Sequence, residues 1–190
     1  MDLQILNWVH DTFHGDKVLD FFAGVVTNSG NVGFVWILLS LVLLIFKKTR
    51  KTGFLMFASL ALSYLIVDVT LKPLIGRARP FVVEPKFLDY LKTTAVSIPD
   101  SPSFPSGHSA SSLATALALF LQNKKYGKFA MLYAVMVALS RIYFCVHFPT
   151  DVVCGAMIGM MSAMIVNLIY MSVSKRLAKK RGYVKLQDML

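Results

Sequence analysis

The run over residues 152–173 contains no charged side chain, and four further apolar segments cover roughly 31–46, 54–71, 109–121 and 129–143. Crossing a hydrocarbon core of about 30 Å takes about 20 helical residues. Inside lipid the backbone must satisfy its own hydrogen bonds, which leaves helices or a closed barrel. Segments of this length and uniformity predict helices. The segments 31–46, 109–121 and 129–143 are short by that count, so their polar-flanked ends must belong to the same helices. The expectation is an all-α integral membrane bundle.

Composition supports lipid as the solvent for much of the chain. Of 190 residues, 56 % are hydrophobic and 16 % charged. An average soluble domain has roughly 45–50 % apolar and about 25 % charged residues. One domain over 1–190 is expected. It divides into an N-terminal region 1–30, a transmembrane core 31–174 and a basic tail 175–190. Residues 1–13 mix Leu3, Ile5, Leu6, Trp8 and Val9 with polar residues and read as an amphipathic interfacial helix rather than a signal peptide. The stretch 18–27 is apolar but short, either a sixth span or a packed half-helix, broken by Asn28, Ser29 and Gly30. The bundle is thus expected to hold five or six transmembrane helices. No internal repeat or low-complexity segment is visible. Cys145 and Cys154 form neither a disulfide framework nor a zinc spacing.

The charge balance is +10. The basic residues lie between apolar runs, which fits anionic lipid or an anionic substrate. No basic, aromatic-rich soluble module for nucleic acid is present. The clusters at 47–51, 124–128 and 175–185 hold 13 of the 20 Lys and Arg residues. Cytoplasmic loops are enriched in these residues. Placing all three clusters inside a plasma or inner membrane leaves the C-terminus cytoplasmic. The connections 72–105 and 142–149 then both fall on the extracytoplasmic face.

Three polar clusters lie on that face. Charged groups at membrane spans are costly and suggest function. The first holds Lys72, Arg77 and Arg79-Pro80; read by itself it could be a set of snorkelling anchors. The second is Pro105-Ser106-Gly107-His108 at the start of a helix, where Ser106 can cap and the free N–H groups can hold an anion. The third is Ser140-Arg141, five residues, His147, three residues, Asp151. A helix beginning near His147 would put His147 and Asp151 four apart on one face, and a carboxylate beside an imidazole sets its tautomer. Each cluster has a structural reading of its own. Together, Lys72, Arg79, Arg141, a helix N-terminus and two histidines match a doubly charged phosphoryl group, a nucleophile and an acid. No carboxylate cluster suits Mg²⁺ and the histidines lack companion ligands for Zn²⁺, so neither metal nor cofactor is expected.

Lys72 with six residues to Arg79-Pro80, Pro105-Ser106-Gly107-His108, and Ser140-Arg141 with His147 and Asp151 resemble the three-part signature of the type 2 phosphatidic acid phosphatase superfamily, which also contains vanadium-dependent haloperoxidases. All eleven signature positions match in order. The resemblance implies a membrane lipid phosphatase. His147 would attack phosphorus and form a phosphohistidine, Asp151 would orient it, and His108 would protonate the leaving oxygen and later activate water. Lys72, Arg79 and Arg141 would hold the non-bridging oxygens, with Ser106 and the Gly107 amide completing the cradle. Arg77 is a candidate for a second phosphate; Lys17, Asn28 and Ser29 are candidates for the rim. Tyr143 and Phe144 read as interfacial aromatics.

The first substrate expectation is undecaprenyl diphosphate, cleaved to undecaprenyl phosphate. A phosphatidylglycerophosphate or phosphatidic acid phosphatase is the close alternative. A transporter or binding protein that grips lipid phosphate without hydrolysis is a different class, and haloperoxidase activity with bound vanadate a third. Beyond the lipid substrate and the bilayer, no obligate protein partner is inferred. The 81–104 loop is expected to cover the pocket, and His108 and His147 to reach one shared phosphate.

Overall fold

The computed structural model of the chain describes residues 1–30 and 33–187, the latter part by backbone alone from 180. Among the described residues every regular element is a helix. In chain order these are α1 (Asp2–Phe13), α2 (Lys17–Ser29), α3 (Phe34–Ile45) and α4 (Arg50–Tyr64), which continues through a π-helical stretch (Leu65–Leu71) into α5 (Lys72–Ile75). Then follow α6 (Pro80–Val83), α7 (Pro85–Lys92), α8 (Gly107–Gln122), α9 (Lys124–Tyr143) and α10 (Pro149–Gln187). Local chemistry sets the ends. The Asp16 carboxylate accepts from the Val18 and Leu19 amides at 2.9 and 3.2 Å. Asn123 caps α9 by accepting from the Lys125 and Tyr126 amides, which separates α8 from α9 across one residue. Pro149 opens α10, where its missing N–H costs nothing.

α8 lies at the centre, packed on α4, α9 and α10, with α3 against α4. Its buried positions are mostly small: Ser109, Ala110, Ser112, Ala114, Thr115, Ala116 and Ala118. Lipid gives no hydrophobic drive to helix pairing, so close backbone approach must supply it. Gly155 and Gly159, one turn apart on α10, meet this need: a Cβ at either would run into the backbone carbonyl of Ser106 or Ala110 on α8. Polar ties cross the bundle, from the Trp36 indole to Ser112 Oγ at 3.0 Å and from Gln122 to Asn167 at 3.1 Å.

The outer surface is apolar. Phe34, Ile45, Phe54, Leu65, Phe129, Leu132, Leu139, Met157 and Leu168 are all exposed. So broad an apolar belt on a single chain marks a lipid-facing surface. Arg50–Val83 and Pro149–Lys179 are each long and apolar enough to cross a membrane, and α2 with α3 qualifies as one pair bent by 50°.

Three expectations change here. The 54–71 segment was expected as a plain helix, but its end is wound wider. The Lys72 amide reaches the Val67 carbonyl, five residues back. Pro73 explains the winding, because a proline has no N–H and its ring crowds the carbonyl four residues earlier. The 81–104 connection carries α6 and α7, whose Phe81, Phe87 and Leu91 form a second core with Leu6, Phe144, Val146 and Phe148. Phe144 is therefore fully buried rather than interfacial, and Tyr143 donates its hydroxyl to Asp20 at 2.7 Å.

Candidate active site

A tight loop joins α9 to α10 and presents His147. Cys145 takes a positive φ of 50°. The Val146 and His147 amides then turn back to the Arg141 carbonyl at 3.2 and 3.4 Å. Asp151, in the first turn of α10, accepts from the Phe148 amide at 2.9 Å. That geometry places its Oδ2 at 3.5 Å from His147 Nδ1. Ser103, from the connection before α8, donates to the same Oδ2 at 2.5 Å and lies 3.4 Å from His147 Nδ1.

The other ring nitrogen faces a cation. Arg79 Nη1 lies 3.2 Å from His147 Nε2 and also donates to the Val146 carbonyl at 2.8 Å. A guanidinium has only donors, so Nε2 must be the acceptor. The proton is therefore on Nδ1, toward Asp151, and the Nε2 lone pair is available. His147 is 1 % exposed, and burial pushes its pKa well below the ordinary histidine value. The Asp151 hydrogen bond opposes this shift, while the Arg79 and Arg141 charges add to it. The ring is thus held in its neutral form at physiological pH. Arg79 is further held by the Ser101 carbonyl at 2.7 Å. Burial lowers its pKa only to about 10, so it remains a cation.

Around Nε2 lies a cavity of about 270 Å³. Its polar lining is Lys72, Arg79, His108, Arg141, His147 and the Gly107 backbone, with Asp68, Ser101 and Ser111; Gly30, Gly33, Leu60, Tyr64 and Pro99 form the rest of its wall. Arg141 is 2 % exposed and donates to Thr27 Oγ1 at 2.5 Å. Its Nε is buried with no hydrogen-bond partner. A charged donor left open inside a cavity costs free energy unless a ligand completes it, which suits a site built for an anion. Gly107 sits at the α8 N-terminus, and a Cβ there would meet the Asp68 carboxylate at 2.9 Å. That carboxylate holds Lys72 Nζ at 2.5 Å. Among the described residues no three His, Cys, Asp or Glu side chains converge to hold a metal ion.

The structure brings Lys72, Arg79, Gly107, His108, Arg141 and His147 to one cavity, with Asp151 directly behind His147. Ser106 lies just outside the lining. Its Oγ accepts from the Ser109 amide and hydroxyl at 3.4 and 2.9 Å, so it shapes the helix start. Pro99 and Ser101 of the 81–104 connection line the cavity. The rim candidates lie elsewhere. Lys17 and Asn28 border a separate hollow with 93–96, and Ser29 pairs with Tyr133. Arg77, a candidate for a second phosphate or the lipid interface, turns away from the cavity to Asp151, Thr150 and Asp2, because the αL turn at Gly76 sends it past Phe148. Sequence reasoning passed over Asp68, Ser103 and Thr27; of these, Asp68 alone left a trace, as a lone charge in an apolar segment.

Residues 52–175 match the PAP2 superfamily, a stretch that contains every residue of the three clusters. The chain belongs to that superfamily. Among relatives of this PAP2 protein, the undecaprenyl-diphosphatase of Sulfolobus acidocaldarius is 34 % identical over 66 % of the chain, which spans 59 % of that relative's length. The undecaprenyl-diphosphatase BcrC of Bacillus subtilis is 30 % identical over 80 % of the chain and 75 % of its own length. The crystal structure of a transmembrane PAP2-type phosphatidylglycerolphosphate phosphatase from Bacillus subtilis superposes with a TM-score of 0.70 at 25 % identity, over 90 % of this chain and 85 % of that one. The chain is a membrane protein and stands among the lipid phosphatases of its family.

Proposed function

We propose that the chain hydrolyses a polyprenyl diphosphate, such as undecaprenyl diphosphate, to the monophosphate through a phosphohistidine on His147. The observation that carries this reading is the His147 tautomer: Nδ1 toward Asp151, Nε2 unprotonated and facing a cavity of cations. The terminal phosphate sits between Lys72, Arg79, Arg141 and the Gly107 amide. Its charge displaces the Asp68 carboxylate from Lys72 and completes the Arg141 Nε donor. Nε2 forms a bond to phosphorus as the bond to the bridging oxygen breaks, and His108, entering the step as an imidazolium beside the bound phosphate anion, gives that extra proton to the leaving lipid monophosphate and becomes neutral. Water then attacks phosphorus, His108 takes the proton, and inorganic phosphate leaves with Nε2 restored. The three fixed cations neutralise the charge that a metal ion handles in other phosphoryl-transfer sites.

The first substrate reading follows the two undecaprenyl-diphosphatases; phosphatidylglycerophosphate, favoured by the solved Bacillus structure, is the second. Phosphate release from the two lipids in one detergent, with EDTA present, separates them. Release is expected to resist EDTA and to be faster on the diphosphate; equal or faster release from the glycerophospholipid would sink the first assignment.

The site is assigned to the extracytoplasmic face, with the basic clusters at 47–51, 124–128 and 175–185 inside. The five apolar segments span, and α2 adds a sixth span or a packed half-helix, with α1 at the interface. A cysteine at Lys86 should then react with an impermeant maleimide on intact cells, and one at Lys47 only after permeabilisation. The reverse pattern would invert the topology.

A further inference from the structure

Arg77 sits outside the phosphate cavity, yet it makes the closest charge contact to the group that orients His147. The Asp151 carboxylate is fully buried. Its Oδ2 is occupied by the Phe148 amide, the Ser103 hydroxyl and the His147 ring. Its Oδ1 receives Arg77 Nη1 at 2.5 Å. The other end of the guanidinium, Nη2, reaches Asp2 Oδ2 of α1 at 3.1 Å. The guanidinium carbon Cζ lies over the Phe148 ring, 4.1 Å from its centroid. Thr150 closes the arrangement, accepting from Arg77 at 2.8 Å and donating to Asp2 at 2.5 Å. A planar fork with several fixed donors is suited to joining two carboxylates, and an ammonium is not.

We propose that Arg77 is a positioning residue for phosphoryl transfer, bridging Asp2 of the N-terminal helix to the Asp151 carboxylate that orients His147. The proposal rests on the reading of His147 as nucleophile.

The chain of groups alternates in charge. His147 becomes cationic as it attacks; Asp151 is negative, Arg77 positive and Asp2 negative. Arg77 therefore restrains the support that Asp151 gives to a charged His147, and Asp2 in turn restrains Arg77. The other charged or titratable groups facing His147 come from separate elements: Lys72 from α5, Arg79 from the turn after it, His108 from α8 and Arg141 from α9. Lys72 is held by Asp68, Arg79 by Ser101 and the Val146 carbonyl, and Arg141 by Thr27, so substitutions at Arg77 and Asp2 are expected to act through Asp151. Removing the Arg77 charge should make His147 easier to protonate, and removing the Asp2 charge should make it harder.

The test measures kcat, KM and the acid limb of kcat/KM for wild type, Arg77→Gln, Arg77→Lys and Asp2→Asn in detergent. The acid limb reports groups of the free enzyme and free substrate; the substrate is common to all four proteins, so differences belong to the enzyme. Arg77→Gln should lower kcat roughly tenfold with little change in KM, by loosening the orienting carboxylate. Its acid limb should move to higher pH and that of Asp2→Asn to lower pH, each by roughly half a unit. Arg77→Lys should leave the limb near wild type while recovering only part of kcat. If Arg77→Gln does not fold, the Asp2→Asn shift, made on the outer side of the network, decides alone. Limbs that stay put or move in the same direction would overturn the proposal. A KM raised for diphosphate but not monophosphate lipids would overturn it in favour of a second-phosphate contact. A wild type that releases no phosphate from any lipid would instead remove the underlying reading of His147.

Discussion

His147→Ala is expected to release lipid phosphate at least about 10⁴-fold more slowly than wild type, because on the proposed mechanism it removes the nucleophile and with it the covalent path. Affinity should change far less. Lys72, Arg79 and Arg141 are held by partners other than the imidazole: Asp68 for Lys72, the Ser101 and Val146 carbonyls for Arg79, Thr27 for Arg141. Vanadate or a slow lipid analogue should therefore still bind the variant. The ring is fully enclosed, so Ala also leaves a hole. His147→Gln, closer in volume, separates the two effects: it should be as inactive and melt nearer to wild type. Substantial phosphate release by either variant would mean that another group attacks phosphorus. Loss of vanadate binding together with activity would mean that the cradle itself had collapsed.

Asp151→Asn is the second large effect, expected at roughly 10³–10⁴-fold in kcat, by the tautomer argument that holds for buried Asp–His pairs elsewhere. Asp151 now accepts from the Nδ1 side of His147, across 3.5 Å, and Nε2 is left with its lone pair. An amide can turn its NH₂ toward Nδ1. The ring proton would then move to Nε2, where it meets Arg79 Nη1 at 3.2 Å, donor against donor. The attacking nitrogen is protonated and displaced together. The carboxylate also receives Arg77, Ser103 and the Phe148 amide, so a stability loss is expected as well, read as a lower melting temperature in detergent. Single-turnover phosphate release from folded protein checks the kinetic part. A decrease below tenfold would mean that Ser103, 3.4 Å from Nδ1, is enough to hold the tautomer.

Much of the fold was open to reading before any coordinates. The segments 54–71, 109–121, 129–143 and 152–173 fall within α4 and its π-helical end, α8, α9 and α10; of the first segment, 34–45 is α3, while Asn31 and Val32 lie outside the described residues. Apolar runs of this kind are legible because lipid selects side chains one by one, whatever their tertiary partners. Helix ends were legible for a similar reason. Ser106 announces a cap by residue type, and its side chain accepts the Ser109 amide of its own first turn; the Asn123 cap emerged only with the structure. The π-helical turn was not legible, since Pro73 demands an adjustment without saying which.

The candidate site residues were legible as types and spacings. Lys72, Arg79, His108, Arg141, His147 and Asp151 lie in short motifs at helix ends, so sequence alone determined that two histidines, three cations and a carboxylate would gather on one face. Tertiary structure decided how they are wired. Ser103 reaches Asp151 across 48 residues, and Arg141 finds Thr27 across 114. The available nitrogen of His147 depends on where Arg79 settles, and Arg77, only a candidate for a second phosphate, goes to Asp151 and Asp2 instead. Local spacing carries helix period and cap chemistry. A hydrogen bond between distant segments depends on how helices cross and on which donors burial leaves to be satisfied, and only the folded chain sets those.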